Sequence, residues 1–324
     1  MIVLVVPEPM SWVEPLERTL AAKATTFSPG TVHVASRAIG ALWARARTDR
    51  RMWLRFARRR LVDHLASQWL PPEVRTVIAP SGGAERVFAL AKQRGCQTVL
   101  VHDLPCMREL QEDLDEAARR YPDCAFLRRF RAPRSLLARQ EAERVLADRV
   151  LVRGAYAGRL LVTRGIAPER IERIPTPPEP PGSRTTAPPV RAFTATRGTL
   201  LLAGLAAARG GSNEAMQALE RRPHLTLLVR PGEGTEPPEL LSHPQVRVAS
   251  RSEREQLAGV DAVLAPAWCE SHPVEVELAA ALGVPVIGTT RAMGDVVPAQ
   301  TVEPGDAHGL GLAIDSAMLV KLAR

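Results

Sequence analysis

Short runs of consecutive apolar residues recur along the chain, each followed by a stretch with helical spacing of its apolar positions. In the first half the runs are Ile2 to Val6, Val74 to Ala79, Thr98-Val-Leu-Val101 and Arg149-Val-Leu-Val152, with helical stretches at Ala84 to Lys92 and Arg134 to Ala147. A strand that is apolar at every position is covered on both faces, and its alternation with helices predicts a parallel sheet. The rhythm breaks at Pro175-Thr-Pro-Pro-Glu-Pro-Pro-Gly-Ser-Arg-Thr-Thr-Ala-Pro-Pro189, too rich in proline for helix or central strand. It resumes with strands at Thr199 to Ala203, Leu225 to Val229, Ala262 to Ala265 and Pro285 to Ile287. Helices are predicted between them at Asn213 to Glu220, Glu253 to Leu257 and Val274 to Leu282. The pattern predicts an α/β protein of two doubly wound, Rossmann-like domains facing across a cleft: residues 1–175, a proline-rich linker 176–197, and residues 198–324. Sheets of this kind bind ligands outside the carboxyl ends of their strands, so the cleft is the predicted site. The stretch from Asp306 to Arg324 predicts one terminal helix belonging to the second domain.

The chain has 324 residues, 45% of them hydrophobic, which suits two cores of about 150 residues each. Its longest apolar runs, such as Gly198-Thr-Leu-Leu-Leu-Ala-Gly204, fall short of the roughly 20 residues that span a bilayer, and Met1-Ile-Val-Leu-Val-Val-Pro7 lacks a basic leader. A cytoplasmic protein is expected. Four cysteines without paired spacing predict free thiols rather than a disulfide framework or a zinc site. The formal charge of +8 favours an acidic partner, and the few aromatics, two Tyr and six Phe, argue against a nucleic-acid stacking platform. Much of the positive charge lies in residues 41–60. On a helical wheel Arg47, Arg51, Arg55 and Arg58 share one side, with Leu42, Met52, Trp53 and Phe56 on another. This basic amphipathic helix raises peripheral membrane contact through residues 41–60; the alternative is a surface helix whose apolar stripe packs inward.

The run from Arg139 to Pro175, with an acidic helix, Ala147-Asp148, a strand, and Gly165-Ile-Ala-Pro-Glu-Arg-Ile-Glu-Arg-Ile-Pro175, resembles the end of the N-terminal domain in family four of the retaining GT-B glycosyltransferases. Val260-Asp-Ala-Val-Leu-Ala-Pro266 and the stretch Ala265-Pro-Ala-Trp-Cys-Glu-Ser-His-Pro-Val-Glu-Val-Glu-Leu-Ala-Ala-Ala-Leu-Gly-Val-Pro-Val-Ile-Gly288 resemble that family's donor-binding segment. The ordered resemblance covers most of residues 95–315. It implies transfer of a sugar from a nucleotide-sugar donor of UDP or GDP type to an acceptor, with retention, without a metal ion and without a further cofactor. It also implies that Glu270 reaches the donor sugar.

The local chemistry is consistent with that implication. Pro273 suits the first turn of a helix, which leaves the amides around Ser271, His272 and Val274 with the positive end of the helix dipole, where a diphosphate fits. Glu270 would stand just before them, and a plain helix-capping carboxylate is its alternative. The sequence also departs from the pattern. The family's second glutamate, on the ribose, corresponds to Leu278, and Glu277 stands one residue, about 100° of helix, away. The family's arginine after the glycine of the first strand corresponds to Leu205, and its lysine is best matched by Arg209. Pro7-Glu-Pro-Met-Ser-Trp12 lacks the glycine-rich turn of the first N-terminal strand.

His102, ending the run Val99-Leu-Val-His102, matches a histidine that the family places near the donor sugar; a hydrogen-bonded structural histidine is the alternative. Ser81-Gly-Gly-Ala84 offers backbone amides after another strand, or an ordinary strand-to-helix turn, the reading favoured for Ser81. Asp113-Leu-Asp115 has the spacing of a metal-binding acid pair but lies in a polar helical pattern, which reads as a solvated face. The expected catalytic residues are Glu270 and His102, with Arg209, Ser271, His272, Val274 and Glu277 on the nucleotide. A competing expectation, motivated by Leu278, Leu205 and the missing glycine turn, is a glycosyltransferase-like partner or regulatory protein without donor turnover.

Overall fold

The computed structural model of the protein describes residues 2–5, 24–27, 48–102, 107–124, 127, 131–174, 198–231, 237, 239–249, 257, 259–269, 274–294 and 296–322, without the side chains of 24–27, 48–55, 205, 231 and 320–322. Contacts divide the chain into two compact units, residues 1–109 with 131–178 and residues 110–130 with 179–324. Each unit is built on a parallel sheet, as the apolar runs imply, and among the described residues each sheet has six strands.

In the first unit the strands are β1 (Ile2–Val5), β2 (Ala24–Phe27), β3 (Thr76–Pro80), β4 (Gln97–His102), β5 (Arg149–Val152) and β6 (Ile171–Arg173), in the spatial order β2-β1-β3-β4-β5-β6. The helices are α1 (Thr48–Gln68), α2 (Glu85–Gln93), the first residues of α3 (Met107–Arg120), α4 (Arg134–Leu146) and α5 (Ala155–Thr163). Successive strand side chains point to opposite faces. Val77, Ala79, Leu100 and Val150 therefore join one apolar layer with Phe88 and Leu161, while Ile78, Val99, Val101 and Leu151 form the other.

α1 runs eight residues past the basic stretch read from the sequence. Phe56, the one residue of the apolar stripe whose side chain is described, is buried against Ala132 and Leu136 and so packs inward; beyond the stripe, Val62 and Ala66 of the same helix are buried too. Residues 41–47 lie outside the described residues. Among the described residues no helix is long and apolar enough to cross a membrane.

The second unit has strands β7 (Gly198–Ala206), β8 (Leu225–Pro231), β9 (Val246–Val248), β10 (Ala262–Ala265), β11 (Val286–Gly288) and β12 (Gln300–Thr301) in the order β12-β11-β10-β7-β8-β9. The order reverses between β7 and β10, the switch point of a doubly wound sheet. Alternation along β7 divides the core: Leu200 and Leu202 pack with α6 (Ser212–Leu219) and α8 (Ala307–Leu322), Leu201 and Ala203 with α7 (Val274–Ala281). α8, the expected terminal helix, packs through Leu310, Ala313, Ile314 and Met318 within this unit.

Most of α3 groups with the second unit by its contacts. Asp113 and Glu116 pair with Arg291, at 2.9 and 3.7 Å. The acidic face expected to be solvated thus carries ion pairs, and Asp113 is committed to a guanidinium rather than offered to a metal.

Candidate functional site

The loops that follow β7 and β10 meet at the switch point of the second sheet. Arg209 stands in the short turn Ala208–Gly210 after β7, and its carbonyl accepts a hydrogen bond of 2.9 Å from the Trp268 amide, two residues before Glu270. Gly211 closes the turn at φ +84°, and a Cβ added there would lie 2.4 Å from the Pro266 carbonyl oxygen. Only glycine permits both that conformation and that approach. Gly288, ending β11, is equally close on the other side, where a Cβ would meet the Ala265 carbonyl oxygen at 2.3 Å. Thr289 then ties the β10 loop down, its amide on the Ala265 carbonyl at 3.0 Å and its hydroxyl on the Ala267 carbonyl at 2.8 Å. Backbones this close leave the turn bearing Arg209 little freedom to shift.

Under this surface lies a polar cluster. The Trp268 indole N–H donates to Glu214 Oε1 at 2.6 Å, and the Tyr121 side chain lies near the same carboxylate. Glu214 stands in the first turn of α6 and is buried, which raises its pKa above the ordinary carboxylate value. Burial likewise raises Tyr121 well above the ordinary phenol value, aided by the neighbouring Glu214 carboxylate.

Beside it, α7 brings a second carboxylate into the sheet. Glu275, second residue of the helix, is fully buried; its Oε2 accepts from the Gly204 amide at 3.3 Å, and its Oε1 pairs with the Arg230 guanidinium. Gly204 has φ +75° at a break in the register of β7 with β8. The sequence reading missed this pair because it weighed Glu277 and Leu278. The available signal was an acidic residue in register with buried Ala279, and an arginine one residue before the end of a largely apolar strand, Leu225–Pro231.

Val274 opens α7 and is partly buried, and Glu277 follows in its first turn, also partly buried. Leu278 packs against the apolar layer of Leu201, Val263 and Val276. Arg209 is partly buried. Glu270, Ser271 and His272 lie outside the described residues, as do Pro7 to Trp12. Among the expected residues, then, the second unit brings Arg209 beside the segment leading to Glu270 and sets Val274 and Glu277 at the start of the following helix.

In the first unit, His102 ends β4 in register with Val152 and is 2% exposed. The strand-to-helix turn after β3 is filled from inside: the Gly82 and Ala84 amides donate to the two oxygens of Glu143, at 2.6 and 2.8 Å. Gln140 donates to the Ser81 hydroxyl at 3.1 Å. These amides are engaged by the protein's own carboxylate, in line with an ordinary turn. Burial pushes the Glu143 pKa up to about 7, against the lowering effect of the two amides and of Arg139. Arg139 also pairs with buried Asp63, which accepts the Arg86 and Val87 amides at the start of α2.

No protein-family model matches the sequence, and no curated protein does. Solved structures do match. The chain resembles the lipopolysaccharide outer core galactosyltransferase WaaB in its apo form, at a TM-score of 0.60 and 15% identity over 99% of this chain and 91% of that one. It is similarly like Anabaena Alr3699/HepE in complex with UDP and glucose, at 0.60 and 13% identity over 100% and 95%. An α,α-trehalose-phosphate synthase (UDP-forming) from Burkholderia vietnamiensis matches at 0.61 and 9% identity, over 99% and 92%. At these identities the likeness is one of fold: two parallel-sheet α/β units of the GT-B glycosyltransferase type.

Proposed function

We propose that the protein is a glycosyltransferase that moves a sugar from a nucleotide-sugar donor of UDP or GDP type to an acceptor, retaining the anomeric configuration and using no metal ion. The observation that carries this reading is the meeting of the Arg209 turn with the segment before Glu270 at the switch point of the second sheet, the place where such sheets take nucleotides. In this scheme Arg209 and the amides at the start of α7, around Ser271 to Val274, take up charge on the departing nucleoside diphosphate as the glycosidic bond breaks. Preorganised donors of that kind lower the barrier without a metal. Glu270 and His102 orient the sugar; His272 and Glu277 belong to the nucleotide side. The UDP bound in HepE makes UDP the first nucleotide to try.

The second reading, a partner or regulatory protein without donor turnover, is favoured by Leu278, whose side chain is part of the apolar layer where the resembled family carries a polar ribose contact. Thermal unfolding with UDP, GDP and ADP separates the two. A nucleotide at 100 times its dissociation constant should stabilise the protein by about 2.7 kcal/mol. A panel with no stabilisation would overturn the enzyme reading and leave the partner reading.

A further inference from the structure

We infer that Arg230, held by the buried carboxylate of Glu275, is a second guanidinium for the donor diphosphate; this rests on the proposed nucleotide-sugar site. Arg230 is the penultimate residue of β8 and lies directly across from position 205 in the β7–β8 register. Partnered positions on neighbouring parallel strands are about 4.8 Å apart and face the same side of the sheet. Leu205 carries no charge at the end of β7, and Arg230 supplies one at the same level.

The geometry around Arg230 is that of an oriented donor. Glu275 is fully buried and anchored from a second side by the Gly204 amide, whereas the Arg230 side chain keeps 27% of its surface exposed. A guanidinium is a planar fork of five N–H donors, so one edge can engage a carboxylate while another meets a phosphate. A buried ion pair adds little net stability over an apolar pair of the same volume, so its positional effect is the feature to explain. Here that effect is to hold a cation at the carboxyl end of the sheet, in the same unit as Arg209. Arg230 is thus a phosphate-binding residue and Glu275 its positioning residue.

The test compares binding of UDP and of uridine to the full chain as wild type, Arg230→Ala and Arg230→Lys. A charged hydrogen bond to phosphate lost in Arg230→Ala should weaken UDP by roughly 10- to 100-fold and leave uridine unchanged, because uridine has no phosphate to lose. Arg230→Lys keeps a cation opposite Glu275 and so keeps the fold even where Arg230→Ala does not. Its single ammonium cannot serve carboxylate and phosphate together, so UDP should weaken about tenfold, again with uridine unchanged. Equal losses for UDP and uridine mean a structural role and overturn the inference, as does UDP binding at wild-type strength in both variants. If wild type binds UDP as proposed, these outcomes judge Arg230 alone; if wild type binds none of the nucleotides, the donor site and Arg230's part in it fall together.

Discussion

Replacing Arg139 with methionine should cost the protein about 3–5 kcal/mol of stability at pH 8, the range expected when one partner of a buried ionic network is removed. Arg139 is the cation between Asp63 and Glu143, both fully buried, and it also reaches Glu85 at 3.1 Å. Methionine fills the volume but leaves two carboxylates facing each other inside the first unit. The loss should depend on pH in a defined direction. Glu143 has a folded-state pKa near 7, raised by burial above its ordinary 4.5. A carboxyl shifted upward contributes stability that is complete below its unfolded pKa and disappears as pH rises through the folded one. Wild type should therefore lose stability between about pH 4.5 and 7 through this group. In Arg139→Met both carboxyls titrate higher still, since the lowering influence of the guanidinium is gone. Urea unfolding at pH 5, 7 and 8 checks this. A difference between variant and wild type that is below 1 kcal/mol, or as large at pH 5 as at pH 8, would show that the network is solvated or paired otherwise.

Gly211→Ala should be nearly as damaging, at about 3 kcal/mol, and should remove nucleotide binding with it. Two effects add. The left-handed backbone costs a non-glycine residue roughly 1–2 kcal/mol. The new Cβ must also move the Pro266 carbonyl, 2.4 Å from where it would sit, and with it the segment bearing Trp268 and Glu270. Gly165→Ala separates the two effects, because Gly165 has nearly the same φ, +83°, and nothing within 4 Å of its added Cβ. That control should lose only the backbone term and keep any stabilisation by UDP. Equal costs for the two variants would mean that the approach of the two loops carries no weight.

The contrast between these two glycines marks how far the sequence reaches. A glycine closing a turn is visible in both places, yet only the packed structure decides that one faces open space and the other a neighbouring carbonyl. His102 could be placed at a strand end from Val99-Leu-Val alone, and Arg209 in the turn after the first strand of the second unit. In contrast, Glu143 is written in the sequence as one acid of a polar helix, Arg134–Leu146. Nothing local announces that it fills the Gly82–Ala84 turn some 60 residues away. Asp113 likewise reads as one acid of a polar helix, and nothing local announces its partner Arg291, 178 residues on.

What the sequence by itself determined is the repeating unit. Fully apolar strands can be stable only with both faces covered, and helices between them make the pairing parallel, so two parallel sheets were legible from Thr98-Val-Leu-Val101 or Leu225-Thr-Leu-Leu-Val229 and their neighbours, whereas the edge strands β2, β6, β9 and β12 were not. What the tertiary structure alone decided is which charged groups are buried together. Glu275 and Glu277 stand two residues apart on one helix and differ by about 200° around it, so the docking angle of α7 on the sheet selects Glu275 for Arg230 and Gly204. A helix period states which side chains share a face; it does not state which face meets the neighbouring strand's arginine, because that contact is made between segments 45 and 71 positions apart and exists only after the helix has packed.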